Sequence, residues 1–498
     1  MIGRLILVVV ALGVAVGAFF AVWFVREYTA ARVDTVGAVD FERPLDVPPL
    51  AASRLDADGT RVFELQMQQG SSDLGQGRET PTWGINGDHL GPTVRATRGE
   101  DVRVEVTNDV GEDTTLHWHG MHLPARMDGG PHQMVAPGET WRPTWTIDQP
   151  AATLWYHPHL HGSTAEHVYR GMAGMFIIDD EQSTGLDLPD EYGVDDVPLI
   201  VQDKSFTDDG ELQKSGSFFS DLGVLGDTIL VNGTPGPYLD VETELVRLRL
   251  LNGSTGRTFT FALDDERTFD VVATDGGLLA EPVSMRTLQL APGERGEIVV
   301  RMRAGETRVL RSLPVAGDDN RFAGGDSRFD VMELRAAETL RPSAPVPGSL
   351  VEVQRLREED ADAERSFRLT GTSINGRSMD MHRIDETVEV GSTEIWSVRN
   401  DNGGTHHSFH VHDVQFQVLD IDGEAPPAHL SGWKDTVWLP NRQTVRLIMR
   451  FADHTDPDVP YMYHCHMLRH EDQGMMGQFV VVEPGQEAGR PPSSHDHH

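Results

Sequence analysis

Histidine is the residue whose distribution in this chain points to chemistry. All 22 histidines lie at or before His167 or at or after His382. Within these two outer parts, histidines repeat at alternate positions in four short segments: His117-Trp118-His119, His157-Pro158-His159-Leu160-His161, His407-Ser408-Phe409-His410-Val411-His412, and His464-Cys465-His466 followed by His470. A single His-x-His pair is more often an ordinary surface or core pair than a ligand pair. Four such segments in one chain predict a metal-binding cluster.

The spacing indicates how these side chains would reach a metal. Residues i and i+2 of a β-strand project from the same face, so each pair presents two imidazoles on one side. Cys465, the single cysteine, would then point away from His464 and His466, and one tripeptide could serve two centres. Imidazole and thiolate favour copper or zinc. Cys465, His470, a histidine of another segment and Met475 supply the thiolate, imidazoles and weak thioether of an electron-transfer copper site.

The segments HWHG, WYHPHLHG, HHSFHVH and HCHMLRHEDQGMM resemble, in order, the four copper-binding motifs of the multicopper oxidases. The branch that they resemble is that of the bacterial three-domain members, which includes laccases, spore-coat oxidases and the periplasmic cuprous oxidase. The segments GPTVRATRGEDVRV and GWKDTVWLP match the family outside the motifs. The resemblance covers about residues 58–484, and four motifs in order make it highly specific.

The resemblance implies an enzyme with four copper ions that takes electrons one at a time from a donor and reduces dioxygen to two waters. One ion is of type 1, and its ligands would be His407, Cys465 and His470, with Met475 in the axial position. One ion is of type 2, and His117 and His410 match its ligands. The remaining two form a type 3 pair, whose ligands would be His119, His157, His159, His412, His464 and His466.

Two carboxylates match the positions at which the family relays protons. Asp128 lies in Met127-Asp128-Gly129-Gly130, and Glu471 directly follows His470. By their sequence surroundings alone, Asp128 is also compatible with a turn position before glycine, and Glu471 with a carboxylate that orients a ligand. An axial methionine, where some relatives carry an apolar residue, indicates a low-to-middle redox potential for the type 1 site.

Strands are the elements that must position these side chains. Residues 94–106, 245–251 and 446–451 alternate or run in apolar and β-branched residues, and turn pairs such as Asn86-Gly87 separate runs of this kind. Many short strands predict all-β sandwiches or barrels. The resemblance implies three consecutive cupredoxin-like β-sandwich domains with Greek-key connections, after an N-terminal apolar helix. The histidine-free middle domain would bind no copper.

The predicted organisation runs in seven segments: a signal peptide or membrane anchor at 1–31, a tether at 32–57, the first domain at 58–182, the second at 195–336, a linker at 337–366, the third domain with type 1 copper at 367–484, and a polar tail at 485–498.

Residues 5–25 form an uncharged apolar run. A secretory hydrophobic region usually has about 7–15 residues, whereas a spanning helix needs about 20. The length favours an uncleaved anchor, although Ala30-Ala31 leaves cleavage possible. In both cases the chain is exported and acts outside the cytoplasm.

The charge restricts the partners of the protein. There are 42 Lys and Arg residues against 78 Asp and Glu residues, which gives a formal net charge of −36. Such a chain repels the phosphates of nucleic acids and attracts small cations. Nucleic-acid binding is therefore not expected.

The sequence favours a laccase-like oxidase of small phenols and aromatic amines. The cuprous-oxidase relatives carry a methionine-rich insertion and an Asp/Met pair before the third motif. This chain reads Asp401-Asn402-Gly403-Gly404-Thr405-His406 there and has no such insertion. Oxidation of cuprous, ferrous or manganous ions in metal tolerance is the alternative, and a copper-sequestering protein without oxidase activity is the second. The natural donor and the oligomeric state remain open.

Overall fold

The computed structural model describes residues 2–318 and 320–492 of the chain. Over these ranges the strands form two sheets in each of three successive domains. The prediction of an all-β chain of successive sandwiches after an N-terminal helix is confirmed. Residues 493–498 of the predicted tail, which include His495, His497 and His498, lie outside the described residues.

Helix α1, Ile2–Ala30, precedes the domains. Its segment Val9–Ala30 is long and apolar enough to cross a membrane and is not buried in the protein.

Residues 32–57 are not a free tether, contrary to the prediction. Strand β1, Arg43–Pro44, pairs in parallel with Pro237–Tyr238 of the second domain, and Leu45 and Val47 pack against the core of that domain. Composition suggests a tether because the segment is polar and contains prolines. Prolines are nevertheless tolerated on the edge strand of a sheet, which is where β1 lies.

The first domain carries its strands and two short helices in this order: β2 Ser53–Leu55, β3 Arg61–Ser72, β4 Thr80–Ile85, β5 Val94–Thr97, β6 Asp101–Asp109, β7 His117–His119, β8 Thr140–Trp141, β9 Thr144–Thr146, β10 Ala152–His157, α2 Thr164–Arg170, β11 Gly174–Asp179 and α3 Glu181–Thr184. One sheet has the order β2-β3-β6-β8, with β4 on β3 and β9 on β6, and the other has the order β5-β11-β10-β7. Alternation in β6 buries Val102, Val104 and Val106 in the core between them.

The second domain has the following strands: β12 Asp196–Lys204, β13 Thr228–Val231, β14 Thr234–Pro235, β15 Pro237–Thr243, β16 Leu245–Asn252, β17 Phe259–Leu263, β18 Phe269–Thr274, β19 Gly277–Met285, β20 Thr287–Leu290, β21 Arg295–Arg301, β22 Thr307–Ser312 and β23 Phe329–Arg341. The sheets have the orders β1-β15-β23-β22-β17-β20 and β14-β13-β12-β16-β21-β18-β19. Strand β23 runs past the predicted boundary, and Leu350 is buried in this core. The first part of the predicted linker, 337–366, therefore belongs to the second domain.

The third domain has these elements: β24 Ala363–Thr370, β25 Ser373–Ile374, β26 Glu386–Glu389, β27 Thr393–Asn400, β28 His407–Val411, β29 Phe416–Ile421, β30 Thr436–Leu439, β31 Thr444–Arg450, β32 Tyr461–Cys465, α4 Leu468–Asp472 and β33 Met476–Val482. The sheets have the orders β25-β24-β27-β31-β29 and β26-β33-β32-β28-β30. Short 3-10 helices lie at Ala125–Met127, Arg321–Ala323, Glu358–Asp360 and Ala428–Leu430.

Candidate metal centres

A buried thiolate centre lies in the third domain and consists of His407, Cys465 and His470. Nδ1 of His407 lies 3.3 Å from Sγ of Cys465, and Nδ1 of His470 lies 3.7 Å from the same sulfur. The three ligand atoms are close enough to hold one metal ion. Met475 is buried in the same core, and its backbone N–H donates to the carbonyl of His470 at 2.9 Å. The predicted axial residue is thus tied to a residue of the centre.

Strand pairing separates this centre from the remaining histidines. In the antiparallel pair β28 and β32, Phe409 lies opposite Cys465 and His410 opposite His464. Directly opposed residues project from the same face, and faces alternate along each strand. His407 therefore shares a face with Cys465, whereas His410 shares the other face with His464.

The imidazole cluster lies between the first and third domains and consists of His117, His119, His157, His159, His410, His412, His464 and His466, all of them buried. The rings of His117 and His412 stack across the domain interface with centroids 3.9 Å apart, and those of His119 and His410 with centroids 3.7 Å apart. Nε2 of His464 lies 3.1 Å from Nε2 of His159 and 3.3 Å from Nε2 of His412. The structure thus brings together both predicted type 2 residues and all six predicted type 3 residues.

Burial favours the neutral form of six of these imidazoles. Desolvation, followed by the effect of neighbouring imidazoles, holds the pKa well below its usual 6.5 at five of them: His119, His157, His410, His412 and His466. Desolvation also lowers the pKa of His159 to about 3, although Glu471 opposes it. A neutral imidazole keeps a nitrogen lone pair that can bind a metal.

The cluster also has ring nitrogens that bind nothing in the described parts of the chain. The buried Nε2 atoms without a hydrogen-bond partner there include those of His117, His157, His410 and His466. An unsatisfied buried polar atom costs free energy, and a bound metal ion would remove that cost. Imidazoles here and a thiolate next to them are the ligands that copper prefers. The residues therefore fit the metal that the sequence predicts.

Asp128 contacts the imidazole cluster from the first domain. Nδ1 of His412 donates a hydrogen bond to Oδ2 of Asp128 at 2.8 Å, and the carbonyl of Asp128 accepts one from Nδ1 of His117 at 2.9 Å. Its side chain is only 1% exposed. Asp128 thus contacts two predicted ligands, one from each of the two domains.

Glu471 contacts the cluster from the third domain and is also buried. Its Oε2 lies 3.1 Å from Nδ1 of His464, and its Oε1 lies 3.4 Å from Nδ1 of His159. Burial alone would raise the pKa of Glu471, but the facing rings of His159 and His464 hold it well below its usual value. The residue is therefore an anion that can orient these rings.

Sequence reasoning assigns no role to Asp435, which also contacts the cluster. Its Oδ1 lies 3.1 Å from Nε2 of His119, and its carbonyl accepts a hydrogen bond from Nδ1 of His410 at 2.8 Å. Arg295 of the second domain donates two hydrogen bonds of 2.7 Å to this carboxylate. The available signal is that Asp435 lies in the matching segment GWKDTVWLP. Through Arg295, the histidine-free domain supports the cluster.

Asp221 is a second residue that the sequence does not single out. It lies on the loop between β12 and β13, and its Oδ2 is 3.7 Å from Nε2 of His470. Burial lowers the pKa of His470, but Asp221 and Cys465 more than offset this and raise it to about 9. The Asp221 side chain is 53% exposed. It therefore places an accessible carboxylate beside the thiolate centre.

Known proteins resemble the chain over most of its length. Family models described as multicopper oxidase match residues 66–183, 196–309 and 346–485. The multicopper oxidase mco of Staphylococcus haemolyticus is 34% identical over 442 residues, which cover 87% of this chain and 92% of the relative. The cell division protein FtsP of Escherichia coli is 37% identical over 451 residues, which cover 88% of this chain and 93% of the relative.

A solved structure has the same architecture. The laccase-like multi-copper oxidase CueO from the lignin-degrading bacterium Ochrobactrum sp. is 37% identical, with a TM-score of 0.80. The match covers 88% of this chain and 100% of that one. With three matching family models and relatives aligned over most of its length, the chain belongs to the multicopper oxidase family.

Proposed function

We propose that this multicopper oxidase is laccase-like, and that it oxidises small phenols and aromatic amines with dioxygen as the acceptor. It would bind four copper ions: type 1 at His407, Cys465, His470 and Met475, type 2 at His117 and His410, and a type 3 pair at His119, His157, His159, His412, His464 and His466. Bound copper would supply the one-electron oxidation of the donor and the four-electron reduction of dioxygen to two waters.

One observation carries the proposal, namely the place of Cys465 between His464 and His466. Its sulfur belongs to the thiolate centre, and the two flanking rings belong to the imidazole cluster. The path between the centres is therefore a few covalent bonds of adjacent residues. A protein that only stores copper gains nothing from such a connection.

Asp128 and Glu471 would serve the proton requirement of the reaction. Reduction of one dioxygen to two waters consumes four protons, and both carboxylates are buried against cluster rings. Each is held by imidazoles of both outer domains, so each is positioned to orient those rings and to pass protons.

Two findings support phenolic donors. The CueO protein from Ochrobactrum has oxidase activity towards lignin model compounds, and the match to this chain covers all of that protein. In addition, Asp221 offers a half-exposed carboxylate beside His470, where it can accept the proton that a phenol loses on oxidation.

The carboxylate of Asp221 also supports one alternative function, the oxidation of metal ions. An exposed Asp221 beside the thiolate centre, on a chain with a net charge of −36, could instead attract a cuprous, ferrous or manganous ion. The chain would then be a metallo-oxidase.

Oxygen uptake by the copper-loaded, full-length protein in detergent separates these functions. Rapid uptake with a methoxyphenol, little changed by added copper, is the expected result. Uptake driven mainly by cuprous ion would make the protein a metallo-oxidase. A fully loaded, blue protein that consumes no oxygen with either donor would overturn both functions and favour copper sequestration.

We also propose that the protein is exported and stays attached to the membrane through α1. The length and exposure of Val9–Ala30 support an anchor. Dioxygen and a small donor are then its partners on the extracytoplasmic side.

A further inference from the structure

The end of helix α1 packs against two loops of the second domain through aromatic rings. The rings that form this aromatic collar are Trp23, Phe24, Tyr28, Phe218, Phe219 and Phe322. The centroids of Trp23 and Phe219 are 4.9 Å apart, and those of Phe219 and Phe322 are 5.2 Å apart. Two polar contacts support the collar. Ser217 donates a hydrogen bond of 2.7 Å to Glu27, and the Arg321 guanidinium lies 4.5 Å from the centre of the Tyr28 ring.

The first of these loops also reaches the thiolate centre. Phe218 and Phe219 lie on the loop between β12 and β13, which continues to Asp221 beside His470. The next residue, Leu222, is fully buried in the core of the third domain. Two residues of extended chain span at most about 7 Å. The collar therefore lies within a short distance of the exposed edge of the thiolate centre.

The second loop makes the same connection independently. It carries Phe322, and its Asn320 donates a hydrogen bond of 2.6 Å to the carbonyl of Gly404. Asp318 on this loop also bonds His406, which immediately precedes His407 of the thiolate centre. Both loops that receive α1 thus hold the chain around that centre.

The collar lies at the C-terminal end of the segment of α1 that is long enough to span a membrane. A helix of 22 residues is about 33 Å long, close to the thickness of the hydrocarbon core, and the collar residues of α1 fall in the last turns of Val9–Ala30. Aromatic rings are enriched at the membrane–water interface. Phe218 lies beside them with 80% of its surface exposed, so its ring is accessible to lipid.

We propose that the face of the protein around the aromatic collar lies on the outer surface of the bilayer, and that the thiolate centre takes its electrons from lipid-soluble quinols dissolved there. This inference rests on the proposed phenol oxidase function and names the donor class. Each quinol releases two electrons and two protons as it becomes a quinone. Two quinols and one dioxygen therefore give two quinones and two waters, and no other reactant is needed.

Contact with the bilayer would be apolar rather than electrostatic. The net charge of −36 repels anionic lipids, whereas the exposed collar residues Phe24, Tyr28 and Phe218 carry no charge. We therefore expect docking to weaken as the fraction of anionic lipid rises and to recover when added salt screens the repulsion.

The depth of Phe218 in the membrane tests the docking without reference to activity. The full-length, copper-loaded protein is placed in lipid nanodiscs, and Phe218→Cys is labelled with an NBD fluorophore. Cys465 is fully buried, so the new thiol is the accessible one. Leu55→Cys is the matched control, because Leu55 is an apolar residue of the first domain that is 62% exposed. Nitroxide-labelled lipids should quench the fluorophore at position 218 and leave that at position 55 unchanged. Equal quenching at both positions, or none at 218, would overturn the proposal.

Donor preference tests the second half of the proposal. In nanodiscs, the protein is given either a long-tailed benzoquinol in the lipid or a methoxyphenol in the water. A carboxylate is costly to hold at a bilayer surface, so Phe218→Glu should slow quinol oxidation by about fivefold or more and leave methoxyphenol oxidation unchanged. Leu55→Glu should slow neither donor. Wild-type protein that oxidises methoxyphenol but not the quinol would overturn this inference and leave the phenol oxidase function intact. A loaded protein that oxidises neither would refute the phenol oxidase function itself, whatever the quenching shows.

Discussion

The carboxylate of Asp128, in the first domain, accepts a 2.8 Å hydrogen bond from Nδ1 of His412, in the third domain. Both side chains are buried, so the bond is shielded from competing water. Because the donor is Nδ1, the Nε2 atom of His412 is the one that faces His464, 3.3 Å away. One carboxylate thus sets the orientation of a predicted ligand across the domain interface.

Asp128→Asn should separate donor oxidation from dioxygen reduction. The amide cannot carry the proton, so we expect reoxidation of the reduced protein by dioxygen to slow by about a hundredfold, the usual contribution of a positioned acid or base. Reduction by the donor without oxygen should stay unchanged. Stopped-flow absorbance measures both phases.

Asp128→Glu is the control, because it keeps an ionisable group and should restore part of the rate and of its pH dependence. If Asp128→Asn shows unchanged turnover across the pH range, the residue is only a turn residue before Gly129.

Cys465→Ser should abolish the blue colour and lower oxidase activity to background. A serine hydroxyl is a poor copper ligand, and the path from the thiolate centre to His464 and His466 would lose its sulfur. Visible absorption, copper content and oxygen uptake are the measurements. Three of the four proposed copper ions should remain, because the imidazole cluster is left intact. A blue, active serine variant would refute the assignment of Cys465.

The pleat of a strand is what makes this part of the site predictable from sequence. Alternation alone indicates that Cys465 points away from His464 and His466, and the sulfur and the two rings do lie in different groups. Which outer histidines meet, in contrast, depends on the interface between the first and third domains. Local periodicity says nothing about that interface, and only the resemblance to a family supplied it.

Other parts of the site could not be predicted because they rest on irregular backbone. Asp221 reaches His470 from the long loop between β12 and β13, and its conformation is determined by tertiary packing rather than by a repeating pattern. The prediction of a tether at residues 32–57 was wrong for a related reason. Composition records its prolines, whereas the edge of the second domain that receives β1 is formed by residues far away in sequence.

Lys204→Met should change how stability depends on pH. Burial lowers the pKa of Lys204 to about 7, although Asp203 opposes it, whereas a lysine in the unfolded chain has a pKa of about 10.4. Between these pH values the unfolded chain binds more protons than the folded one, so the free energy of unfolding contributed by this group rises with pH by up to about 4 kcal/mol. Below pH 7 the folded protein carries the full free-energy cost of a charged Lys204 ammonium in its core.

We therefore expect the thermal midpoint of the parent protein to rise relative to that of Lys204→Met as the pH increases from 7 to 10. The loss of the 2.6 Å hydrogen bond from Nζ to the carbonyl of Tyr169 should offset part of the gain in stability of the variant at pH 7. Lys214→Met, at an exposed lysine, is the control and should track the parent. Parallel midpoints for the parent and Lys204→Met would show that Lys204 keeps an ordinary pKa.

Met475→Leu should raise the reduction potential of the type 1 site. A thioether at the axial position donates electron density to copper and favours its oxidised form, and leucine removes that donation. A rise of about 59 mV would correspond to a tenfold change in the relative affinity for the two oxidation states. Redox titration of the blue absorption gives the value. Met449→Leu is the matched control, because Met449 is fully buried in the core of the same domain and its replacement should leave the potential unchanged. A fall in the potential of Met475→Leu, or an equal rise in both variants, would mean that the sulfur of Met475 packs in the core without reaching the metal.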